Sequence, residues 1–213
     1  DACHARGVKT VAVTAGYVHA DERRAVFEKM DAANVDLKAF TEDFYFKLTG
    51  SHLQPVLDTL VYLKHETAVW FEITTLLIPG HNDSDAEITA MSQWVRRELG
   101  PDVPVHFSAF HPDHKMPDVP ATPPATLVRA RELAMKEGLH YVYTGNVRHE
   151  AGDTTYCPGC QKPLIVRDWY QIRAYRLSPD GHCPDCGTAL AGRFDASAGN
   201  FGRRRIPIAF GGR

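Results

Sequence analysis

Residues 69–78 read VWFEITTLLI and carry the strongest indication of the fold. It is rich in β-branched residues and is followed by a Pro-Gly pair, which together predict a strand that ends in a turn. Ser84 and Glu87 then have the spacing of a capping box, which predicts a helix that begins at Ser84 and runs to residue 99. A strand followed by an amphipathic helix is half of a βαβ unit, so this segment predicts a parallel sheet.

The same alternation of strand and helix continues on both sides of this segment. We predict further strands over 8–14, 34–40, 103–110 and 139–144, and further helices over 21–33, 51–65 and 122–138. Crossovers between parallel strands are right-handed, so five strands and four helices predict an α/β fold that is either a curved partial barrel or an open doubly wound sheet. Five strands are too few to close an eight-stranded barrel.

Composition limits the class of protein. The 213 residues include 24 basic and 26 acidic ones and are 44% hydrophobic, which excludes disordered and collagen-like chains. No run approaches the ~18 apolar residues of a membrane span, and no secretion leader is visible. The only dense basic run is 203–205. We therefore expect a cytoplasmic protein with no membrane and no nucleic-acid partner. Because the first strand follows Asp1 so closely, we also expect earlier strands of the fold to be missing.

Polar residues gather where the predicted strands end, which is where strand-helix folds bind their ligands. These residues occur in the segments 14–17 (TAGY), 36–38 (DLK), 78–83 (IPGHND), 110–114 (FHPDH) and 144–146 (TGN). Each segment also has a simpler explanation. Asp36 and Lys38 could be a structural ion pair, Thr14 could belong to a plain turn, and His111 and His114 could be ordinary loop histidines.

Four of the five cysteines form two identical spacings, Cys157-x2-Cys160 and Cys183-x2-Cys186, with 22 residues between them. Two such knuckles joined by a hairpin supply the four thiolates of a tetrahedral zinc site. The pattern therefore predicts one structural zinc in a zinc-ribbon-like module, with strands at 165–166 and 172–177. Two disulfides or a single iron ion are the alternatives, and disulfides are disfavoured in a cytoplasmic protein.

The order of these motifs resembles a known enzyme group. The residues that carry the resemblance are Thr14-Ala15-Gly16-Tyr17, Asp36-Leu37-Lys38, Ile78-Pro79-Gly80-x-Asn82-Asp83, Phe110-His111-Pro112 and the two cysteine knuckles. Together they are similar to radical S-adenosylmethionine (SAM) enzymes, in particular to relatives of the pyruvate formate-lyase activating enzyme. Within that group they most resemble the AmmeMemoRadiSam system radical SAM enzyme.

The resemblance implies a six-stranded partial barrel of which this chain holds the last strands. It also implies SAM bound to a four-iron, four-sulfur (4Fe-4S) cluster, whose reduction releases a 5′-deoxyadenosyl radical that abstracts hydrogen from a partner. Thr14, Asp36, Lys38 and His111 would bind the SAM. The implied partners are an electron donor and a protein or small-molecule substrate.

Two positions depart from the pattern of this group. The cluster-binding motif Cys-x3-Cys-x2-Cys is absent from these 213 residues, and Ala15 stands where the activating enzymes often have Asn. We therefore expect a C-terminal part of such an enzyme that is inactive alone. Its expected divisions are the barrel part over 1–150, the zinc-ribbon-like module over 151–195 and a tail over 196–213.

Two other functions are compatible with the sequence. A metal-dependent hydrolase barrel could use His81, Asp83, His111 and His114, although no His-x-His pair closes a strand. A non-enzymatic adaptor could bind a partner through the zinc ribbon and the basic tail near Arg203.

Overall fold

Five parallel strands in chain order form the main sheet of the protein. The computed structural model describes residues 1–199, and the chain divides into two units, Asp1–Val147 and Arg148–Arg213. The strands of the first unit are β1 (Val11–Thr14), β2 (Ala32–Asp36), β3 (Trp70–Leu77), β4 (Val105–Ala109) and β5 (Val142–Gly145). Each pairs in parallel with the next, in the order β1-β2-β3-β4-β5. A doubly wound sheet reverses its strand order, so this sequential order is that of the predicted partial barrel.

Helices connect successive strands. They are α1 (Ala20–Phe27), α2 (Glu42–Phe44), α3 (Leu53–Glu66), α4 (Asp85–Trp94) and α5 (Pro124–Lys136), with short 3-10 or π-helical turns at His4–Arg6, Tyr45–Thr49 and Val95–Leu99. The predicted start of α4 at Ser84 is confirmed, because the Ser84 hydroxyl accepts a hydrogen bond from the backbone N–H of Glu87 at 3.3 Å. The carboxylate of Glu87 accepts from the N–H of Phe40 and not from that of Ser84, so only half of the predicted capping box is formed. The short helix α2 and its π-helical turn were not predicted.

The predicted helix over 21–33 is too long. It ends at Phe27, and Ala32 and Ala33 begin β2 instead. Alanine favours helices locally, but Ala33 is buried in the core and pairs with both β1 and β3, so tertiary packing overrides its propensity. Correspondingly, β2 ends at Asp36, and Lys38 lies beyond the strand.

The sheet has one covered and one open face. Residues that alternate along the strands, such as Val35, Ile73, Val105 and Phe107, are fully buried in the core that packs against the helices. The intervening side chains are only partly buried or are exposed. We call this second set the open face; it consists of Val11, Val13, Ala32, Asn34, Asp36, Trp70, Glu72, Thr74, Leu76, His106, Ser108, Tyr143 and Gly145.

The second unit is built on an antiparallel sheet. Its elements are α6 (Glu150–Asp153), β6 (Thr155–Tyr156), β7 (Pro163–Asp168) and β8 (Gln171–Tyr175), with the strands in the order β6-β7-β8. The two predicted ribbon strands correspond to β7 and β8, whereas β6 was not predicted. Leu164 and Ile165 pack in a small core together with Cys157 and Cys183. The basic run 203–205 lies outside the described residues.

Among residues 1–199, no helix is both long and apolar enough to cross a membrane.

The turn after β1 requires glycine at position 16. Gly16 has a φ of +67°, and a Cβ atom there would lie 2.7 Å from Cγ1 of the fully buried Val35. Gly7 has a similar φ of +69° but has no atom within 4 Å of its Cβ position. An alanine at position 7 therefore adds backbone strain alone, whereas an alanine at position 16 adds both strain and steric overlap.

We expect Gly16→Ala to lower the free energy of unfolding by about 2–4 kcal/mol, because left-handed strain and overpacking add. Gly7→Ala carries the strain alone and should cost about 1–2 kcal/mol. Urea unfolding of both variants measures the difference. Equal losses would show that the core around Val35 accommodates the extra methyl group.

Candidate functional site

Asp36 and Lys38 form an ion pair at the carboxyl end of β2. Asp36 is the last residue of the strand and belongs to the open face, and Nζ of Lys38 donates to its Oδ2 at 2.8 Å. The side chains remain 35% and 39% exposed, respectively. An ion pair this exposed contributes only about 0–1 kcal/mol to stability, so its charged groups are available to a ligand at little structural cost.

The backbone of Lys38 is held on both sides. Its N–H donates to the hydroxyl oxygen of Tyr45 at 3.0 Å, and its carbonyl oxygen accepts from Nδ2 of Asn82 at 2.6 Å. Burial raises the pKa of Tyr45 to about 12, and the carboxylate of Asp36 adds to this shift. The phenol therefore stays neutral, and the loop that carries Lys38 has a defined position.

Asn82 joins the loop after β3 to the loop after β2. Besides its bond to Lys38, it accepts from the N–H of Ile78 at 2.7 Å and donates to the carbonyl of Leu76 at 2.9 Å. The side chain is buried, and each of its polar atoms is used. A second link is provided by Glu87, whose Oε1 accepts from the N–H of Phe40 at 2.7 Å.

Asn82 belongs to the sequence motif over 78–83, but that motif did not predict the positioning roles of Asn82, Tyr45 and Glu87. An Asn two residues after a Pro-Gly pair could have indicated a side chain that binds backbone groups. No local pattern points to Tyr45, which lies in the unpredicted π-helical turn.

The other two predicted SAM ligands lie apart from the ion pair. Thr14 pairs in register with Val35, so it belongs to the covered face, and its hydroxyl accepts from the N–H of Gly16 at 3.1 Å. His111 lies after β4, is 80% exposed and places Nδ1 3.2 Å from a carboxylate oxygen of Asp113. The structure thus brings together Asp36 and Lys38, whereas Thr14 and His111 do not hydrogen bond to either.

The four residues of the hydrolase alternative do not form a metal site. Within residues 1–199, the cysteine group of the second unit is the only one in which three or more potential ligands bring their metal-binding atoms close together. Asp83 instead accepts from the N–H of Gly80 at 2.8 Å, and Arg129 donates to the carbonyl of Asp83. This leaves the hydrolase hypothesis without the clustered imidazoles that it needs.

The four cysteines converge in the second unit. All four Sγ atoms lie within 4.8 Å of one another, with 3.5 Å between Cys157 and Cys186 and 3.7 Å between Cys160 and Cys183. The two knuckles repeat the same backbone turn. In each, the N–H of the first cysteine donates at 2.9 Å to the carbonyl five residues later, which belongs to Lys162 in one knuckle and Thr188 in the other.

These distances fit a single metal ion. A tetrahedral ion with metal–sulfur bonds of ~2.3 Å places its thiolates about 3.8 Å apart. In a 4Fe-4S cluster each cysteine binds a different iron, so the sulfur atoms must be spaced more widely. The remaining cysteine, Cys3, is exposed. The described cysteines therefore fit one ion and do not fit the catalytic cluster of a radical SAM enzyme.

The chain is similar in sequence to a known protein. No model of a known protein family matches the chain. The chain is 41% identical over 185 residues to the uncharacterized protein MJ0808 of Methanocaldococcus jannaschii. The match covers 86% of this chain and 54% of MJ0808, so the chain spans about half the length of that relative.

Two solved structures share the architecture. A domain of pyruvate-formate lyase-activating enzyme from Bacteroides vulgatus superposes with a TM-score of 0.59 at 14% identity, covering 68% of this chain and 86% of that one. A radical SAM methyltransferase from Sphaerobacter thermophilus gives 0.54 at 17% identity, covering 65% of this chain and 41% of that one. The chain has the fold of radical SAM enzymes, as the resemblance implied.

Substitution of Asn82 tests the hydrogen bond that fixes the backbone carbonyl of Lys38. We expect Asn82→Ala to lower the free energy of unfolding by about 2–4 kcal/mol, because a buried side chain loses three hydrogen bonds and the N–H of the buried Ile78 is left without its partner. Gln93 is a suitable control, since its amide makes one exposed bond to Glu137 at 3.0 Å. Gln93→Ala should change stability by no more than about 0.5 kcal/mol in the same urea titration. Similar values for both variants would contradict the structural role of Asn82.

Proposed function

We propose that this chain forms the SAM-binding part of a radical SAM enzyme related to the activating enzymes and, more narrowly, to the AmmeMemoRadiSam system enzyme. The observation that carries this proposal is the ion pair of Asp36 and Lys38. It lies at the carboxyl end of a strand in a parallel sheet that has the radical SAM fold. This is the edge at which sheets of this type bind their ligands.

The chemistry of the pair suits the amino-acid end of SAM. The carboxylate of Asp36 accepts hydrogen bonds from the ammonium group or from ribose hydroxyls, and the ammonium of Lys38 donates to the ligand carboxylate. Because the Lys38 backbone is held by Tyr45 and Asn82, its side chain starts from a defined position. We assign further contacts with SAM to Thr14 and His111, as the motifs imply.

The cluster has no ligands in this chain. When SAM is bound to a reduced 4Fe-4S cluster, it supplies a 5′-deoxyadenosyl radical for hydrogen abstraction. The five cysteines do not provide the Cys-x3-Cys-x2-Cys loop. The cluster therefore has to be bound by another part of the complete gene product. The partners of that complete enzyme are an electron donor and a protein or small-molecule substrate.

The second unit holds one zinc ion in a structural role. With four thiolates the site has no open coordination position, so the metal stabilises the module without taking part in catalysis. Cys157 and Cys183 belong to the small core of this unit, which links metal binding directly to its packing.

Substitution of the ion pair tests the SAM site. In the complete gene product, we expect Asp36→Ala and Lys38→Ala each to weaken SAM binding by about tenfold or more, because each removes a charged hydrogen bond. Asp43 and Lys47 form an exposed pair with an Nζ–Oδ1 distance of 2.7 Å and serve as matched controls. Their alanine variants should leave affinity unchanged in equilibrium dialysis. Unchanged affinity in the Asp36 and Lys38 variants would refute the assignment.

Removal of the metal tests the zinc site. Elemental analysis should find one equivalent of zinc per chain, and a chelator should increase amide hydrogen exchange across residues 157–190. Exchange in β3 and β4 serves as an internal reference within the same sample. Iron in place of zinc would overturn the choice of metal, and unchanged exchange after chelation would overturn its structural role.

A further inference from the structure

The open face of the sheet carries a carboxylate side chain and an imidazole side chain within its strands. Glu72 lies between the buried Phe71 and Ile73 in β3, and His106 lies between the fully buried Val105 and Phe107 in β4. Strands of parallel sheets are usually hydrophobic on both faces, and Glu is depleted in strands. Residues that break these local rules are concentrated at functional sites.

Glu72 and His106 form a defined arrangement with two aromatic residues. Oε2 of Glu72 lies 2.7 Å from Nε2 of His106, and Oε1 accepts from the indole N–H of Trp70 at 3.3 Å. The imidazole stacks on the ring of Tyr143, with centroids 5.0 Å apart and an interplanar angle of 22°. We call these four residues the Glu72–His106 cluster.

One nitrogen of His106 remains available. An ionised carboxylate only accepts hydrogen bonds, so Nε2 carries the proton that faces Glu72. Nδ1 has no hydrogen-bond partner in the described part of the chain, and the side chain is 30% exposed. A carboxylate behind an imidazole fixes its orientation and stabilises its protonated form, which is the arrangement of a general base.

The cluster lies in the same row of the sheet as the proposed SAM site. Asp36 pairs in register with Thr74, Thr74 with His106, and His106 with Tyr143, all on the open face. Two strand spacings separate Asp36 from His106, which places their α-carbons about 10 Å apart. Asp36 and His106 are therefore neighbouring but separate positions in one row of the open face.

We propose that the Glu72–His106 cluster binds the substrate, a small molecule that carries a hydroxyl or amine group. This inference rests on the proposed radical SAM function and places the substrate next to the SAM. The substrate O–H or N–H donates to Nδ1 of His106. Proton transfer breaks that bond and forms Nδ1–H, the electron pair stays on the substrate atom, and Glu72 stabilises the resulting imidazolium.

Charge on the open face selects this class of substrate. Within the Glu72–His106 cluster, the carboxylate of Glu72 is the only formal charge when the imidazole of His106 is neutral, as a general base requires, so the cluster carries no positive charge. A polyanion such as phosphate therefore gains little there, whereas a neutral or cationic hydrogen-bond donor is favoured.

The unmodified chain provides the first test. His140 is a matched control, since its Nδ1 lies 2.8 Å from a carboxylate oxygen of Asp102 and its side chain is 39% exposed, but it lies outside the sheet. With ¹⁵N-histidine labelling, 1,2-propanediol and ethanolamine should shift the His106 Nδ1 resonance in a saturable way and leave His140 unchanged. Equal responses at both histidines would overturn the site. A saturable response at His106 to inorganic phosphate alone would overturn the substrate class.

Substitutions separate this inference from the proposed SAM function. We expect Glu72→Gln to weaken binding of the two probes by about tenfold or more and to leave SAM affinity in the complete gene product within about twofold. Asp36→Ala should have the opposite pattern, with weaker SAM binding and an unchanged probe response at His106. If the wild-type complete gene product did not bind SAM, that result would contradict the proposed SAM function and not the Glu72–His106 site. Unchanged probe binding in the Glu72 variant would contradict the Glu72–His106 site alone.

Discussion

The parallel ladder that runs from β1 to β5 in chain order is the constraint on which the rest of the first unit depends. Every strand points the same way, so each chain crossover must return over one face of the sheet, and the helices bury that face. The same direction places the carboxyl ends of all five strands at one edge. The opposite face carries Glu72 and His106 among its side chains.

The site at the end of β2 shows how a short loop acquires a defined position without being part of the sheet. Lys38 lies two residues beyond the last paired residue, yet both polar groups of its peptide backbone bond to buried side chains, those of Tyr45 and Asn82. Asn82 also binds backbone groups at the end of β3. Hydrogen bonds thus join two neighbouring strand ends, while the charged groups of Asp36 and Lys38 remain partly exposed.

The second unit has a much smaller described core than the first. Its described core contains few apolar side chains, Leu164 and Ile165 among them, and two of its cysteines. A module with so small a core gains stability from a metal ion that joins its two knuckles. The close sulfur–sulfur distances and the repeated backbone turn suit a single metal ion. These four cysteines therefore do not suit the 4Fe-4S cluster that a radical SAM enzyme requires.

The amino-acid sequence alone predicted the α/β class, the alternation of elements, the cap of α4 and the cysteine knuckles, because these depend on periodicity and on spacings of a few residues. It misjudged the end of α1, since the preference of alanine for helices is weaker than the pairing of Ala33 between two strands. The strand order and the open face are visible only in the folded chain. The same is true of the hydrogen bonds that fix the Lys38 backbone and of the pairing of Glu72 with His106. Those contacts join residues 44 and 34 positions apart, as between Asn82 and Lys38 and between His106 and Glu72, and no local pattern specifies such partners.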